Sequence, residues 1–380
     1  MLDMRRLTAS FCLLAFVLSC AERSLDPPPL APVALSDIPG LSSAPLLPAV
    51  RSFAVTCPNL LRRGTSSRLQ GLDWTTPCAD APSVTNEEEA QRFFERHFEA
   101  IAIDGGQGLV TGYYEPVFEG SPQPTNVFSA PVLTTPSDLV SVDLGAFRPE
   151  LRGKRIAGQL QEGRLVPYAD RKEIENNPPQ SANVLGYMRP DDLFFLQIQG
   201  SGVLEMPGQA RRIGYASQNG HIYVAIGKTL INEGALVRED VTMQSIRAWL
   251  DNASPSEAAR VRATNPSYVF FQDRGDAAGP EGPIGSAGVP LSPRVSVAVD
   301  RTIVPLGAPV WVAGTDEAFS FEGMTIAQDT GGAIKGAGRV DLFIGRGDAA
   351  GDVAGRLKLP ARIIVLIPRS HGMTLAEVQG

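Results

Sequence analysis

Apolar and polar positions along this 380-residue chain alternate with two different periods, and the places where the period changes divide it into blocks. Asn86 precedes Glu87-Glu88-Glu89, after which Ala90, Phe93, Phe94, Phe98 and Ile101 recur three and four residues apart. That spacing predicts an amphipathic helix capped by Asn86, with carboxylates in the first turn where the helix dipole favours them. From Leu109 to Phe118 β-branched and aromatic residues take over and Gly120 ends the run, which predicts a strand. Leu193 to Gln199, bounded by Asp192 and Gly200, predicts another strand, and helices are predicted from about His221 to Glu233 and from about Glu239 to Asp251. Past Asn265 short apolar runs return at 268–272, 295–299, 310–312, 324–327, 340–344 and 361–367, separated by glycine and proline. Six short strands of this kind imply a small closed or sandwiched β domain.

The first block is of another kind. Arg5-Arg6 lead into the apolar run Leu7 to Leu18, too short to stay across a bilayer but suited to a signal-peptide core, with Asp3 slightly weakening the positive charge ahead of it. The run ends in Val17-Leu18-Ser19-Cys20, which resembles a bacterial lipoprotein box with Cys20 as the lipidated residue; a plain cleaved signal is the other reading. Pro27-Pro28-Pro29, Pro32, Pro39 and Pro45 then favour extended, polyproline-like backbone, which at ~3.1 Å per residue is long enough to act as a tether. The tether is assigned to residues 21–45, with Ser36 to Cys57 also compatible with the folded body.

Composition narrows the function classes. With 43% hydrophobic residues the chain buries a sizeable core, and its length favours two domains. A net charge of −7 with no basic stripe argues against nucleic acid as a partner. His97, His221 and His371 are scattered without metal-ligand spacing, so no metal site and no cofactor is expected. Cys57 and Cys78 are the cysteines left after the signal and Cys20; an exported pair invites a disulfide, two free buried thiols being the alternative.

The stretch richest in chemistry is Ile326 to Gly345, where Asp329 and Asp341 stand among glycines and short apolar runs. It reads as strand, turn, strand, with Asp341 inside the apolar run Val340 to Ile344. A carboxylate among apolar neighbours is costly to ionise, which raises its pKa, and a raised carboxyl pKa is what a general acid needs. Asp329 precedes Thr330-Gly331-Gly332 and is expected to be better solvated or hydrogen-bonded by turn amides. The plainer alternatives are an ordinary turn aspartate, a solvent-facing strand aspartate and hairpin glycines. Adjacent Tyr113 and Tyr114 suit a saccharide groove, since aromatic faces pack on sugar rings and phenols bond to hydroxyls. On a strand, Gln197 and Gln199 would share one side, and with Ser201 in Gln199-Gly-Ser-Gly202 they offer neutral hydrogen-bonding groups.

This segment, with Gly288-Val-Pro-Leu-Ser-Pro293 and Val297-Ala-Val-Asp-Arg-Thr-Ile-Val-Pro-Leu-Gly307, resembles the three-aspartate segment of the membrane-bound lytic murein transglycosylase A family. The likeness continues, in order, through Gly112-Tyr-Tyr-Glu-Pro116, Gln199-Gly-Ser-Gly202, Ser217-Gln-Asn-Gly-His-Ile-Tyr223 with Gly227-Lys228, and Asn265-Pro-Ser-Tyr-Val-Phe-Phe271, covering about residues 105–367. The resemblance implies a mainly β fold with some α: N-terminal helices and a first barrel strand over 46–124, and an inserted β-rich substrate-binding domain over 125–250. A double-psi β-barrel over 251–370 would follow, with the three-aspartate segment at 288–345.

It also implies a reaction. Asp341 would protonate the glycosidic oxygen between N-acetylmuramic acid and N-acetylglucosamine in peptidoglycan, then assist attack by the muramic acid's own 6-hydroxyl, giving a 1,6-anhydro end. Asp329 would support this chemistry, Asp300 would fix a strand end, and Tyr113, Tyr114, Gln199, Ser201, Asn219 and Lys335 would touch the glycan. The expected partners are glycan strands, the outer membrane through the lipid on Cys20, and a wall-remodelling complex; the absence of an aspartate after Cys20, where Ala21 stands, points to the outer membrane and the periplasm. Two other classes stay open on the residues alone: a non-catalytic wall-binding or loosening module, and a hydrolase using Asp300, Asp329 or Glu115 as a second carboxylate.

Overall fold

The computed structural model describes residues 29–63, 67, 69, 71–277 and 282–369; the signal run, Cys20 and His371 lie outside them. Strand β1 (Leu30–Val33) pairs antiparallel with β2 (Phe98–Ile103), and Ile38 and Leu41 are buried. The expected tether over 21–45 is therefore too long. From Leu30 onward the chain belongs to the folded body, where β1 covers the edge that β2 would otherwise expose. Helix α1 (Leu47–Arg63) buries Val50, Phe53, Cys57 and Leu60, and a disulfide joins Cys57 to Cys78 in α2 (Thr75–Asp80). Helix α3 (Glu87–His97) starts as predicted, with the Asn86 side chain accepting from the Glu89 amide at 3.0 Å. It stops four residues before the predicted stripe does: Phe98 and Ile101 lie in β2, held between β1 and a C-terminal strand. Phe98 still meets the helix core, edge-on to Phe53 at 5.7 Å.

Strand β3 (Gln107–Glu115) hands over at Pro116 to β4 (Val117–Ser121), and the two belong to different sheets. The insert holds β5 (Ala130–Leu133), a small sheet of β6 (Val140–Asp143), β7 (Arg155–Gln161) and β8 (Arg164–Pro167), then α4 (Arg171–Asn176) and β9 (Val184–Met188). Residues 193–199, expected as a strand, lie in helix α5 (Pro190–Gln199), with Pro190 in the first turn and Gly200 as left-handed cap at φ 81°. A short apolar run does not reveal its own period; the flanking proline and glycine are the helix signals. Strands β10 (Ser201–Met206) and β11 (Gln209–Gln218) form a hairpin. Helix α6 (Ile226–Asn232) begins later than predicted, and α7 (Met243–Asn252) begins where the Thr242 side chain accepts from the Ser245 amide. Helix α8 (Pro255–Arg262) and β12 (Val269–Asp276) complete the unit.

Strand β12 was expected in the barrel and lies instead in the insert sheet, ordered β12-β11-β10-β4-β9-β5. The insert sheet thus takes in chain from Val117 to Asp276, wider at both ends than 125–250, because β4 pairs with β10 and α8 packs Val261 against Phe271 and Leu250.

The barrel is built from β3 with β13 (Ser296–Ala298), β14 (Pro309–Thr315), β15 (Ser320–Asp329), β16 (Arg339–Arg346) and β17 (Lys358–Pro368); α9 (Asp348–Arg356) covers β3 and β16. The order β17-β14-β15-β13-β16-β3 closes because β17 also pairs with β3. Two of its pairings, β13 with β15 and β16 with β3, are parallel. Six strands around Val110, Val310, Trp311, Ile326 and Leu342 leave no room for a lumen, so the site sits at the rim. The ring closure is in the pairing; the double-psi crossing stays an expectation of the resemblance. A side chain on Gly108 would collide with the Gly338 carbonyl, which lets the loop ahead of β16 lie flat on β3.

Candidate active site

Asp341 sits on β16 between buried Val340 and Leu342, its Cα opposite Thr111 of β3 on one side and Ala298 of β13 on the other. Alternation turns its side chain away from the barrel core, half-buried. The Thr111 hydroxyl donates to Asp341 Oδ1 at 2.6 Å. Burial pushes the Asp341 carboxyl above its usual range, with the Asp329 charge adding to the rise and the Thr111 hydroxyl and Arg339 only partly offsetting it.

Asp329 ends β15, and its oxygens are occupied differently. Oδ1 accepts from the Ser286 amide at 2.9 Å and the Ser286 hydroxyl at 2.8 Å, and Oδ2 accepts from the Tyr113 phenol at 3.0 Å. Burial raises the Tyr113 pKa well above its usual value, as do the charge and hydrogen bond of Asp329 and the charge of Asp341, so the phenol remains a donor at any working pH. Its ring packs on Phe343 at 5.4 Å. The strand position of Asp329 is pinned from beneath by its neighbour: buried Gln328 donates to the Ser52 carbonyl at 3.1 Å and to Thr56 Oγ1 at 2.7 Å, and accepts from the Ser52 and Ser296 hydroxyls, tying β15 to α1. Ser286 was not found from the sequence; a lone serine in a glycine-rich loop carries no spacing signal.

Asp300, directly after β13, is a turn fastener. Its Oδ1 accepts from the Thr302 amide at 3.1 Å and hydroxyl at 2.7 Å, and Oδ2 from the Gly336 amide at 3.0 Å. Burial alone would raise its pKa, but these donors and the nearby Lys335 charge outweigh it and hold the carboxyl below the ordinary value of 3.8. Lys335 itself is exposed on the loop before β16. Glu115, the remaining carboxylate considered for chemistry, is buried and gripped from both sides: Arg212 of β11 reaches Oε1 at 2.8 Å and Arg346 of β16 reaches Oε2 at 2.9 Å. Since Arg212 belongs to the insert and Arg346 to the barrel, Glu115 staples the two units where the chain crosses between them.

The other expected contacts divide. Tyr113 joins the aspartates, but Tyr114 points to the opposite face, its ring over Gly351 of α9, as the two-residue period of a strand requires. Gln199 lies at the end of α5, its amide nitrogen 3.7 Å from the Met243 sulfur, and Ser201 is exposed at the start of β10. Gln197 and Gln199 do not share a side, because two residues on a helix turn through roughly 200° at 3.6 residues per turn. Asn219 is wholly buried and spent on backbone: Nδ2 donates to the Ala169 and Pro266 carbonyls at 2.9 Å each, and Oδ1 accepts from the Tyr268 amide at 2.9 Å. The expectation that Asn219 touches glycan is corrected accordingly, since it has no free group to offer.

The sequence matches the MltA specific insert domain over residues 109–272 and the 3D domain over residues 295–367. It is 33% identical over 278 residues to the membrane-bound lytic murein transglycosylase A of Vibrio cholerae, a stretch covering 70% of this chain and 68% of that protein. The crystal structure of MltA from Neisseria gonorrhoeae superposes with a TM-score of 0.79 at 34% identity, covering 91% of this chain and 92% of the other. Escherichia coli MltA with bound chitohexaose superposes at 0.61 with 26% identity, covering 90% and 95%.

Proposed function

The chain belongs to the membrane-bound lytic murein transglycosylase A family, and from that premise we propose that it cuts glycan strands with Asp341 as its single acid. It is a peptidoglycan lytic transglycosylase. The observation that carries the assignment is the contrast in occupancy. Among the described residues Asp341 is held above the usual carboxylate range with one hydroxyl on it, whereas Asp329, Asp300 and Glu115 each have both oxygens engaged. That engagement speaks against a two-carboxylate hydrolase, which needs a second carboxylate free to act on water or the anomeric carbon.

In the proposed step the Asp341 proton goes to the glycosidic oxygen as the bond from the anomeric carbon to that oxygen breaks. The 6-hydroxyl oxygen of the muramic acid then bonds to the anomeric carbon, and its proton returns to Asp341. Water is neither consumed nor released, and the acid ends as it began. Asp329, fixed by Ser286 and Tyr113, is proposed as an electrostatic partner for the developing positive charge. Lys335, Gln199 and Ser201 are proposed as glycan contacts in a groove that we place between barrel and insert, with Tyr114 packed against α9 on the opposite face of β3.

Relatives named as membrane-bound place the chain in the cell envelope. We infer a lipid on Cys20, an outer-membrane anchor facing the periplasm and a place in a wall-remodelling complex; labelling with a fatty-acid analogue that left the protein unlabelled would remove the anchor. The catalytic reading is tested by mass spectrometry of digested murein sacculi. Anhydro ends are the expected product, while reducing ends would identify a hydrolase and intact sacculi a binding module.

A further inference from the structure

The motifs Ser217–Tyr223 and Asn265–Phe271 take no part in the chemistry above, yet they meet around a cavity of about 290 Å³ inside the insert, walled by Arg171, Gln197, Gln218, Tyr223, Asn265 and Ser267. Four of these are nearly inaccessible: Arg171 is 2% exposed, Gln197 5%, Asn265 2% and Ser267 6%. Buried polar walls are costly unless each group finds a partner, and in this cavity one does not. The Gln197 amide nitrogen donates to the Val269 carbonyl at 3.2 Å and the side chain also meets the Tyr268 phenol, while its carbonyl oxygen is left without a protein donor. Turning the amide over would set two carbonyl oxygens against each other.

The walls also say what charge belongs there. The Arg171 guanidinium donates to the Asn265 carbonyl at 3.0 Å and the Ser267 carbonyl at 2.6 Å, and pairs with Glu175 at 3.1 Å. With three of its five donors engaged and its charge matched by Glu175, it carries little unbalanced charge for an anion, so the cavity suits a neutral ligand that donates a hydrogen bond. Tyr223 is 53% exposed, and its side chain also borders an adjoining apolar cavity of about 480 Å³ between α5, α6 and α7, beside Phe194, Ile226, Val241 and Met243. A neutral body with C–H faces, donor groups and a small apolar substituent matches all three features.

We propose that this cavity is a second saccharide site, taking one N-acetylated sugar unit of a glycan strand. The sugar face lies on Tyr223, a hydroxyl or amide N–H donates to Gln197 Oε1, and the acetyl methyl enters the apolar cavity. The inference rests on the reading of peptidoglycan as substrate. A strand held both here and at Asp341 would dissociate more slowly than one held at the barrel alone.

The test uses the full chain as Asp341→Asn, which keeps the probe intact, with chitotetraose added and hydrogen exchange followed by segment. Slowed exchange is expected at 107–115 and 326–345 in the barrel and, separately, at 217–225 and 265–271 in the insert. Tyr223→Ala, at an exposed position, should weaken the insert protection by about 3-fold to 10-fold and leave the barrel protection unchanged. Gln197→Leu should do the same. Barrel protection without insert protection, or insert protection indifferent to Tyr223→Ala, overturns the second site while leaving the catalytic reading standing. Protection in neither unit contradicts both.

Discussion

Asp300 and Asp341 belong to the same barrel, follow or sit within neighbouring strands, and are both shielded from solvent, yet their carboxyls are driven in opposite directions. In the turn after β13, Asp300 collects two amides and a hydroxyl, and these donors hold it ionised in spite of burial. On β16, Asp341 has the Thr111 hydroxyl and a nearby Asp329 charge, and burial prevails. Burial therefore does not by itself make an acid; the count of donors around the carboxylate decides which effect wins. One aspartate fastens the frame and the other is the carboxyl we propose as the acid.

The largest effect that could break this contrast is on turnover. Asp341→Asn keeps shape and removes the proton, so release of anhydro-muropeptides should fall by roughly 10²–10⁴-fold while chitooligosaccharide binding survives. Asp329→Asn should do less, or lose folding and binding together with activity, because it undoes the bonds to Ser286 and Tyr113. The reverse ranking, with Asp329→Asn inactive but folded, would exchange the two roles.

The next effect is on stability. Asp300→Ala abandons the Gly336 and Thr302 amides and should cost about 1–3 kcal/mol in urea unfolding at neutral pH. Because its folded pKa lies below the unfolded 3.8, the Asp300 contribution is present above that value and is lost as pH falls through the folded pKa. Wild type and Asp300→Ala should accordingly converge in strongly acid solution. Asp341 runs the other way: its raised folded pKa gives stability that is full below 3.8 and lost as pH rises through the folded pKa, so Asp341→Asn should melt higher than wild type at neutral pH.

The smallest effect sharpens the comparison without abolishing activity. Thr111→Val removes a hydrogen bond that lowers the Asp341 pKa, so the alkaline limb of the rate–pH profile should move upward, with turnover changed by less than about 10-fold. An unchanged limb would mean that the Thr111 hydroxyl does not act on the reacting acid.

Much of this was legible in the residues. The Asn86 cap, the strands that line the barrel and the apolar setting of Asp341 all follow from short-range patterns, because caps and strand alternation are local properties. Where the sequence misled, the decisive neighbour was distant. Leu193–Leu196 is a run of four apolar residues, all buried because that turn of α5 is covered on every side, so it shows no period. Residues 269–276 look like any other β run, and only pairing with β11 assigns them to the insert. Asn219 and Glu115 looked chemical as polar residues in distinctive motifs, but the backbone groups and guanidiniums that occupy them come from elsewhere in the chain. Ser286, 43 residues before the aspartate it holds, left no trace in spacing at all.

The central claim is that Asp341 carries the proton, and the most direct measurement of it is the titration of that one carboxyl. With aspartate side-chain carbons labelled, the resonance absent from Asp341→Asn identifies Asp341, and its midpoint in wild type can be followed by NMR. The account predicts a midpoint above the ordinary aspartate value of 3.8, rising further in Thr111→Val. A midpoint at or below 3.8, with the Asp329 resonance titrating higher, would contradict it.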